Sequence, residues 1–180
     1  MAKIGLKNLR YSKLDDKDQV TTPASFGKAV DCKVSVEMNN AELRADDGIA
    51  ESDYSFKSGT IDLTVDDDGE AFADVLGHEI GEGGEVVRNA NDVAPYVAIG
   101  RILTKQVGGV KSYKVEFLHK VKFSEPSTDE KTKGESIEFG TSAISGVIHQ
   151  LSNGDWSKYK TFTTYDEAST YLDGLLTAKA

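Results

Sequence analysis

The chain has 180 residues, of which 38% are hydrophobic and 28% are charged. This composition excludes a disordered chain and predicts one globular domain spanning residues 1–180. The formal charge of −9 argues against a nucleic-acid-binding protein, because neutralising phosphates takes clustered lysine and arginine. A single cysteine excludes an intrachain disulfide, and no apolar run has the length of a membrane span or the pattern of a signal peptide. We therefore expect a soluble protein made in the cytoplasm, with no membrane partner.

Two early segments, 30–39 and 60–66, alternate apolar and polar residues with period two. That period predicts β-strands with one face buried and one face in water. The predicted buried residues are Val30, Cys32, Val34, Val36 and Met38 in the first strand, and Ile61, Leu63 and Val65 in the second. The predicted wet faces are rich in acid, with Asp31, Glu37 and Asp62.

Between these strands we predict a long charged loop, 40–59. Hairpins need only a few connecting residues, and loops beyond about 12–15 residues are usually functional or disordered. One interpretation is a mobile surface loop. The other is a subunit interface, because apolar residues are interspersed among the charges and need something to pack against. The candidate interface residues are Leu43, Arg44, Asp46, Asp47, Ile49, Glu51, Asp53 and Tyr54, with Phe56 beside them.

Further along the chain, a 3.6-residue period predicts a helix over 68–76 that ends at Gly77. Alternation over 111–123 predicts a strand with a single buried face that includes Tyr113, Val115, Phe117, His119, Val121 and Phe123. A Thr-x-x-Glu capping box at Thr164 predicts a C-terminal helix over 165–176. These elements predict a mainly β (α+β) fold: a β-sandwich or barrel of antiparallel strands, with one flanking α-helix and a short C-terminal helix.

The sequence carries no recognisable catalytic chemistry. Its three histidines never have the i, i+4 spacing of metal ligands, and its serines lack the Gly-x-Ser-x-Gly pattern of a nucleophile elbow. The acidic residues before Gly69 lack the remaining ligands of a calcium loop, and helix capping explains them better. We predict no catalytic, cofactor or metal site, and no enzymatic activity.

Six segments in this order resemble the major tail tube protein of long-tailed phages and prophages. They cover nearly the whole chain: MAKIGLKNLRYSKL, AELRADDGIAESDYSFKSGTIDL, EAFADVLGH, PYVAIGRI, TDEKTKGESIEFGTSAISGVI and NGDWSKYKTF. None of these segments is distinctive alone, and their order in a chain of this size carries the resemblance.

The resemblance implies a structural virion protein, made in the host cytoplasm, that assembles into stacked homohexameric rings forming the tail tube. It implies tape-measure, tail-terminator and distal tail proteins as partners, and DNA passing through the lumen without specific binding. If the two alternating strands join across subunits, the wet-face residues Asp31, Glu37 and Asp62 are the candidates to face the lumen.

Two other functions remain open at this point. A monomeric β-sandwich binding or adhesive module would expose an aromatic platform built from Tyr54, Tyr96, Tyr113 or Trp156. A small hydrolase on a β scaffold would need a nucleophile that the sequence does not show.

Overall fold

The structure is a computed structural model, and it describes residues 2–45, 48–66, 69–127 and 141–178. The strands within these residues are β1 Ala2–Leu14, β2 Val20–Ser25, β3 Ala29–Ala45, β4 Gly48–Val65, β5 Glu79–Ile80, β6 Val86–Val87, β7 Val97–Val107, β8 Val110–Phe123, β9 Ser142–His149 and β10 Ser157–Phe162. The helices are α1 Glu70–Leu76 and α2 Tyr165–Leu176, with a 3-10 turn at Glu82–Gly84.

Eight of these strands form one antiparallel sheet. Seven of them follow the order β2-β1-β7-β8-β9-β4-β3, and β10 pairs with β8 outside this order. The sheet forks at β8: the half near Val115 pairs with β10, while the half near Val121 pairs with β9. The sheet also curls, so that β1 contacts β3, and Phe26 between β2 and β3 donates its backbone N–H to the carbonyl of Leu9. The curled sheet encloses an interior, which confirms the predicted β-sandwich with two helices.

The interior is filled by apolar side chains from five strands and from α1. Ile61, Leu63 and Val65 of β4 are fully buried there, as their alternation predicts. Phe26 sits among other aromatic rings, with centroids 5.3 Å from Tyr11, 5.4 Å from Phe123 and 5.9 Å from Phe72. Because Phe72 belongs to α1, this helix closes one end of the sandwich.

A second apolar layer lies on the outer face of β7 and β8, beneath α2. Ala168, Leu172 and Leu176 of α2 are fully buried, and they pack with strand residues that include Ile102 and Phe117. Gly100 permits this close approach, because a Cβ at that position would collide with the Leu172 side chain. Leu172 and its neighbours thereby fix the C-terminal helix on the sheet.

The prediction of a single buried face for 111–123 is wrong. Val115 and Phe117 face α2, whereas Val121 and Phe123 face the sandwich interior. The β7–β8 register shifts between Val97 and Ile99, and this irregularity changes which face each later residue of β8 occupies. The strand therefore serves two apolar layers instead of one.

Three of the four helix ends agree with the sequence. Gly77 ends α1 in the left-handed conformation with φ 80°, and its N–H donates to the carbonyl of Ala73. Thr164 caps α2, accepting a hydrogen bond from the backbone N–H of Glu167, and α2 ends at Leu176 as predicted. The predicted start of α1 at residue 68 is wrong, because the helix begins at Glu70 with Gly69 as its N-cap. Residues 67 and 68, whose acids were predicted to cap this helix, lie outside the described residues. None of the helices in the described residues is long and apolar enough to cross a membrane.

Candidate assembly surfaces

The predicted loop 40–59 is wrong, because this stretch belongs to two long paired strands. Strands β3 and β4 pair continuously from Ala29↔Val65 to Ala45↔Gly48. Strand β9 covers β4 only over Gly59–Val65, so the residues of β4 before Gly59 pair with β3 alone among the described residues. The outer part of the hairpin, 37–58, thus extends beyond the sheet as a two-stranded ribbon. We call it the arm.

The candidate interface residues lie on the arm, and the register places most of them. Leu43 pairs with Glu51, Arg44 with Ile49, and Tyr54 with Asn40, while Asp53 pairs with Ala41. Asp46 and Asp47, between the two strands, lie outside the described residues. At the usual rise of about 3.3 Å per residue, the arm extends roughly 25 Å past the sheet.

One face of the arm continues the buried face of the sandwich, and beyond Phe56 its side chains are exposed among the described residues. Met38 and Tyr54 lie on that face, with Val36 directly before the arm, and they expose 49%, 59% and 39% of their surface. Cys32 and Val34, nearer the sheet, are partly buried against the core. The predicted buried face of 30–39 is therefore right in its alternation and wrong in extent: Val30 is also 57% exposed, beside an irregularity in the register.

The base of the arm is anchored by aromatic stacking. The Phe56 ring stacks on the Trp156 ring with centroids 5.0 Å apart and an interplanar angle of 10°. Trp156 directly precedes β10, whose other edge has no partner strand among the described residues. The stack therefore sets the point at which the arm leaves the sandwich.

A charged network links β7 and β8 to Cys32 on β3. Arg101 on β7 donates two hydrogen bonds to Oε2 of Glu116, at 3.2 and 2.6 Å, and Lys114 Nζ lies 2.5 Å from Oε1. Burial alone would raise the pKa of Glu116, but the hydrogen bonds from Lys114 and Arg101 hold it below its usual value. Arg101 also contacts Cys32 Sγ, and burial raises the pKa of this thiol. Within this network the Glu116 carboxylate forms ion pairs with both Arg101 and Lys114, which stabilises its charge inside the fold.

The candidate lumen residues lie together on one exposed face of β3 and β4. Asp31 pairs with Thr64 and Asp62 with Lys33, and Glu37 lies further along β3. The face is mixed in charge: Lys33 lies directly across from Asp62, and Lys57 Nζ is 3.5 Å from Glu37. The carboxylates share a face as predicted, but lysines interrupt the acid-rich surface that the sequence suggests.

Other side chains of the fold contact His78, Tyr96 and Tyr113. His78 places Nδ1 2.7 Å from Asp92 and Nε2 3.0 Å from Glu125, so its two nitrogens face different carboxylates. No group of three potential metal ligands occurs within the residues that the structure describes. Tyr113 packs against Tyr165 and Tyr96 against His149, so these two tyrosines lie in separate contacts.

The chain is similar to a solved structure described as the cryo-EM structure of the anti-feeding prophage cap (AFP tube terminating cap). The TM-score is 0.45 at 13% sequence identity, covering 86% of this chain and 89% of that chain. No protein-family description and no curated protein matches the sequence.

Proposed function

We propose that this protein is a non-enzymatic structural subunit of a phage tail tube, which self-associates into stacked homohexameric rings. The observation that carries the proposal is the arm, a two-stranded ribbon with an uncovered apolar face. A two-stranded hairpin is at best marginally stable in water, so a ribbon of this length needs a surface to pack on. The order of the six sequence segments supports a tail tube as the assembly.

A second copy of the chain is the proposed covering surface. Val36, Met38 and Tyr54 would become buried on a neighbouring subunit. Strands β2, β3 and β10 each have one unpaired edge among the described residues, and a closed ring is a way to pair such edges. Both the exposed surfaces and the surfaces that would cover them therefore belong to copies of the same chain.

The proposal extends to the tube's contents and neighbours. Asp31, Glu37 and Asp62 would face a lumen through which DNA passes without specific binding, in a virion tail. Tape-measure, tail-terminator and distal tail proteins would contact the ends or the interior of the tube. In this arrangement the exposed carboxylates weaken the attraction between DNA phosphates and the lumen wall. The interspersed lysines keep the net electrostatic field of that wall small.

Shortening the arm tests the proposal without disturbing the sandwich. Residues 40–54 would be replaced by Asn-Gly, a type I′ turn that joins Asn39 to its register partner Ser55. This variant keeps Phe56 and its stack on Trp156. We expect it to remain folded by circular dichroism but to stay monomeric by analytical ultracentrifugation, while the full chain forms rings or tubes seen by negative-stain microscopy.

The matched control is the full-length arm with Asn40→Ser, a polar change on the same ribbon that should leave assembly intact. Rings formed by the shortened variant would overturn the role of the arm. A full-length chain that stays monomeric to about millimolar concentration, where even weak contacts form, would favour the monomeric binding module instead.

A further inference from the structure

Two hairpins outside the arm expose apolar side chains. The turn between β7 and β8, which we call the basic tip, covers residues 105–112, and its Val107 and Val110 expose 52% and 72% of their surface. The hairpin of β5 and β6, which we call the acidic hairpin, covers residues 79–87, and its Val87 is 50% exposed. Each hairpin therefore leaves apolar surface in water that the described part of the chain does not cover.

The two hairpins lie at opposite ends of strand β8. This strand starts inside the basic tip, at Val110, and ends at Phe123. Two residues farther on, Glu125 lies 3.0 Å from Nε2 of His78, the residue directly before the acidic hairpin. At about 3.3 Å per residue, the 14 residues of β8 separate the hairpins by roughly 40 Å. A contact between the two hairpins must therefore join different copies of the chain.

The acidic hairpin is held in place by charged contacts at its base. His78 places Nδ1 2.7 Å from Asp92 and Nε2 3.0 Å from one oxygen of Glu125, and Arg88 Nη1 lies 3.4 Å from the other oxygen of that carboxylate. Asp92 also accepts a hydrogen bond from the backbone N–H of Asn89, at 2.8 Å. A surface that is fixed before binding loses less conformational entropy when a partner docks.

The acidic hairpin carries its carboxylates around its apolar residue. Glu79 pairs with Val87 in the β5–β6 register, and Glu85 lies two residues before Val87 in extended backbone. These three side chains therefore share one face of the hairpin. Glu82 is exposed at the turn and adds a third carboxylate. The neighbouring cation, Arg88, pairs with a carboxylate outside the hairpin and leaves these acids their charge.

The basic tip has the opposite charge and contains no acid. Lys105 lies two residues before Val107 on β7, and Val107 pairs with Val110, so these three side chains share one face. Lys111 is exposed beside Val110, on the other side of the tip. Neither lysine has an ion pair among the described residues. The basic tip thus presents an apolar pair flanked by two positive charges.

We propose that the basic tip of one copy docks on the acidic hairpin of another copy, and that this contact joins successive rings. The inference rests on the proposed function, which supplies the rings, and adds the surfaces that stack them. Each surface has an apolar centre with flanking charge, and the two charges have opposite signs, as in specific protein interfaces. Because the surfaces lie at opposite ends of one chain, the contact is heterologous and propagates head to tail without closing. The arm then joins copies within a ring, and the two hairpins join the rings.

Charge reversal separates stacking from ring formation. Glu79→Lys with Glu85→Lys on the acidic hairpin should still form single rings by negative-stain microscopy, but should need at least about tenfold more protein to form tubes. Lys105→Glu with Lys111→Glu on the basic tip should have the same effect. Combining all four changes should restore tubes, because the two surfaces again carry opposite signs.

The matched control is Lys7→Glu with Lys17→Glu, which makes the same change in charge at two exposed lysines outside the basic tip. This control should form tubes at the same protein concentration as the unmodified chain. Circular dichroism establishes that every variant is folded. Tube formation by the unmodified chain should also weaken as the salt concentration rises from about 0.05 to 0.5 M, because the Debye length shortens.

Several outcomes would overturn the stacking contact. Hairpin or tip variants that form tubes as readily as the unmodified chain would remove this contact and leave the proposed function standing. The same conclusion would follow if the combination of all four changes assembled no better than either pair. Folded variants that stay monomeric would place the contact within a ring instead of between rings. Failure of the unmodified chain to form any ring would contradict the proposed function itself, and the stacking contact with it.

Discussion

Strand β4 passes through two environments, and the contrast between them separates what stabilises the fold from what is available for assembly. In its inner half, Ile61, Leu63 and Val65 are fully buried between the layers of the sandwich. In its outer half, Tyr54 continues the same face but is 59% exposed. A register shift beside Met38 keeps Tyr54 on this face, and the difference between the halves is that β9 pairs with β4 only from Gly59 onward. Under the proposed function, a neighbouring subunit covers this exposed apolar face.

The largest expected effect comes from truncating one apolar residue in each half. Leu63→Ala should lower the free energy of unfolding by about 2–5 kcal/mol, because it leaves a cavity in the core. Met38→Ala on the arm should change it by about 0.5 kcal/mol or less in the monomer. Urea denaturation at low protein concentration, followed by the fluorescence of Trp156, measures both. A Met38→Ala cost equal to that of Leu63→Ala would mean that the arm is packed within the monomer.

The junction between the halves should show an intermediate effect. Phe56→Ala removes the ring that stacks on Trp156, and aromatic pairs contribute about 0.5–1.5 kcal/mol beyond their buried area. We expect a red-shifted Trp156 emission and faster amide hydrogen exchange in the arm, with the sandwich still folded. Tyr54→Ala, on the same face but away from the stack, is the control and should leave the emission unchanged. An unshifted emission in Phe56→Ala would contradict anchoring at this point.

A smaller effect on the free energy of unfolding should appear with pH, through two histidines. The folded-state pKa values of His119 and His149 lie below the ordinary 6.5, mainly because burial disfavours the charged ring, so the unfolded chain takes up these protons at higher pH. Their contribution to stability is therefore present above about pH 6.5 and is lost as the pH falls through the lower folded values.

Unfolding of the monomer at a series of pH values measures this slope. The double variant His119→Gln with His149→Gln should be less sensitive to pH between about 7 and 5. Glu116 and Asp92, whose pKa values are also lowered, titrate at more acidic pH and do not overlap this window. An unchanged slope in the double variant would show that these two histidines bind protons equally in the folded and unfolded chain.

The smallest effect on folding is expected on the exposed face of β3. Asp31→Lys with Glu37→Lys should alter monomer stability by about 0.5 kcal/mol or less, because both side chains are exposed. If this face lines a lumen, phage particles carrying the change should release DNA more slowly than unmodified particles, since added lysines attract phosphate. Identical release kinetics would remove support for the lumen assignment.

Sequence reasoning predicted the faces of the strands better than their lengths. Period-two alternation identifies Ile61, Leu63 and Val65 as core residues because side chains on a strand alternate whatever the neighbours are. The same rule cannot say where the covering strand ends, so Val36 and Met38 were expected in the core as well. The arm itself was missed because its apolar and charged residues alternate irregularly, partly through register shifts such as the one beside Met38.

The candidate sites differ in how far the sequence could reveal them. The arm residues were found through an excess of apolar groups in a charged segment, even though the segment was assigned to a loop. The network of Arg101, Glu116 and Cys32 was not found, because these residues are far apart in the chain and meet only when the sheet folds.

The central claim is that the arm drives association of the chain. Sedimentation velocity over a concentration series tests this most directly. The unmodified chain should sediment as increasingly large species as its concentration rises, and the chain with residues 40–54 replaced by Asn-Gly should remain a monomer throughout. Equal sedimentation of the two chains, whether both assemble or both stay monomeric, would contradict the central claim.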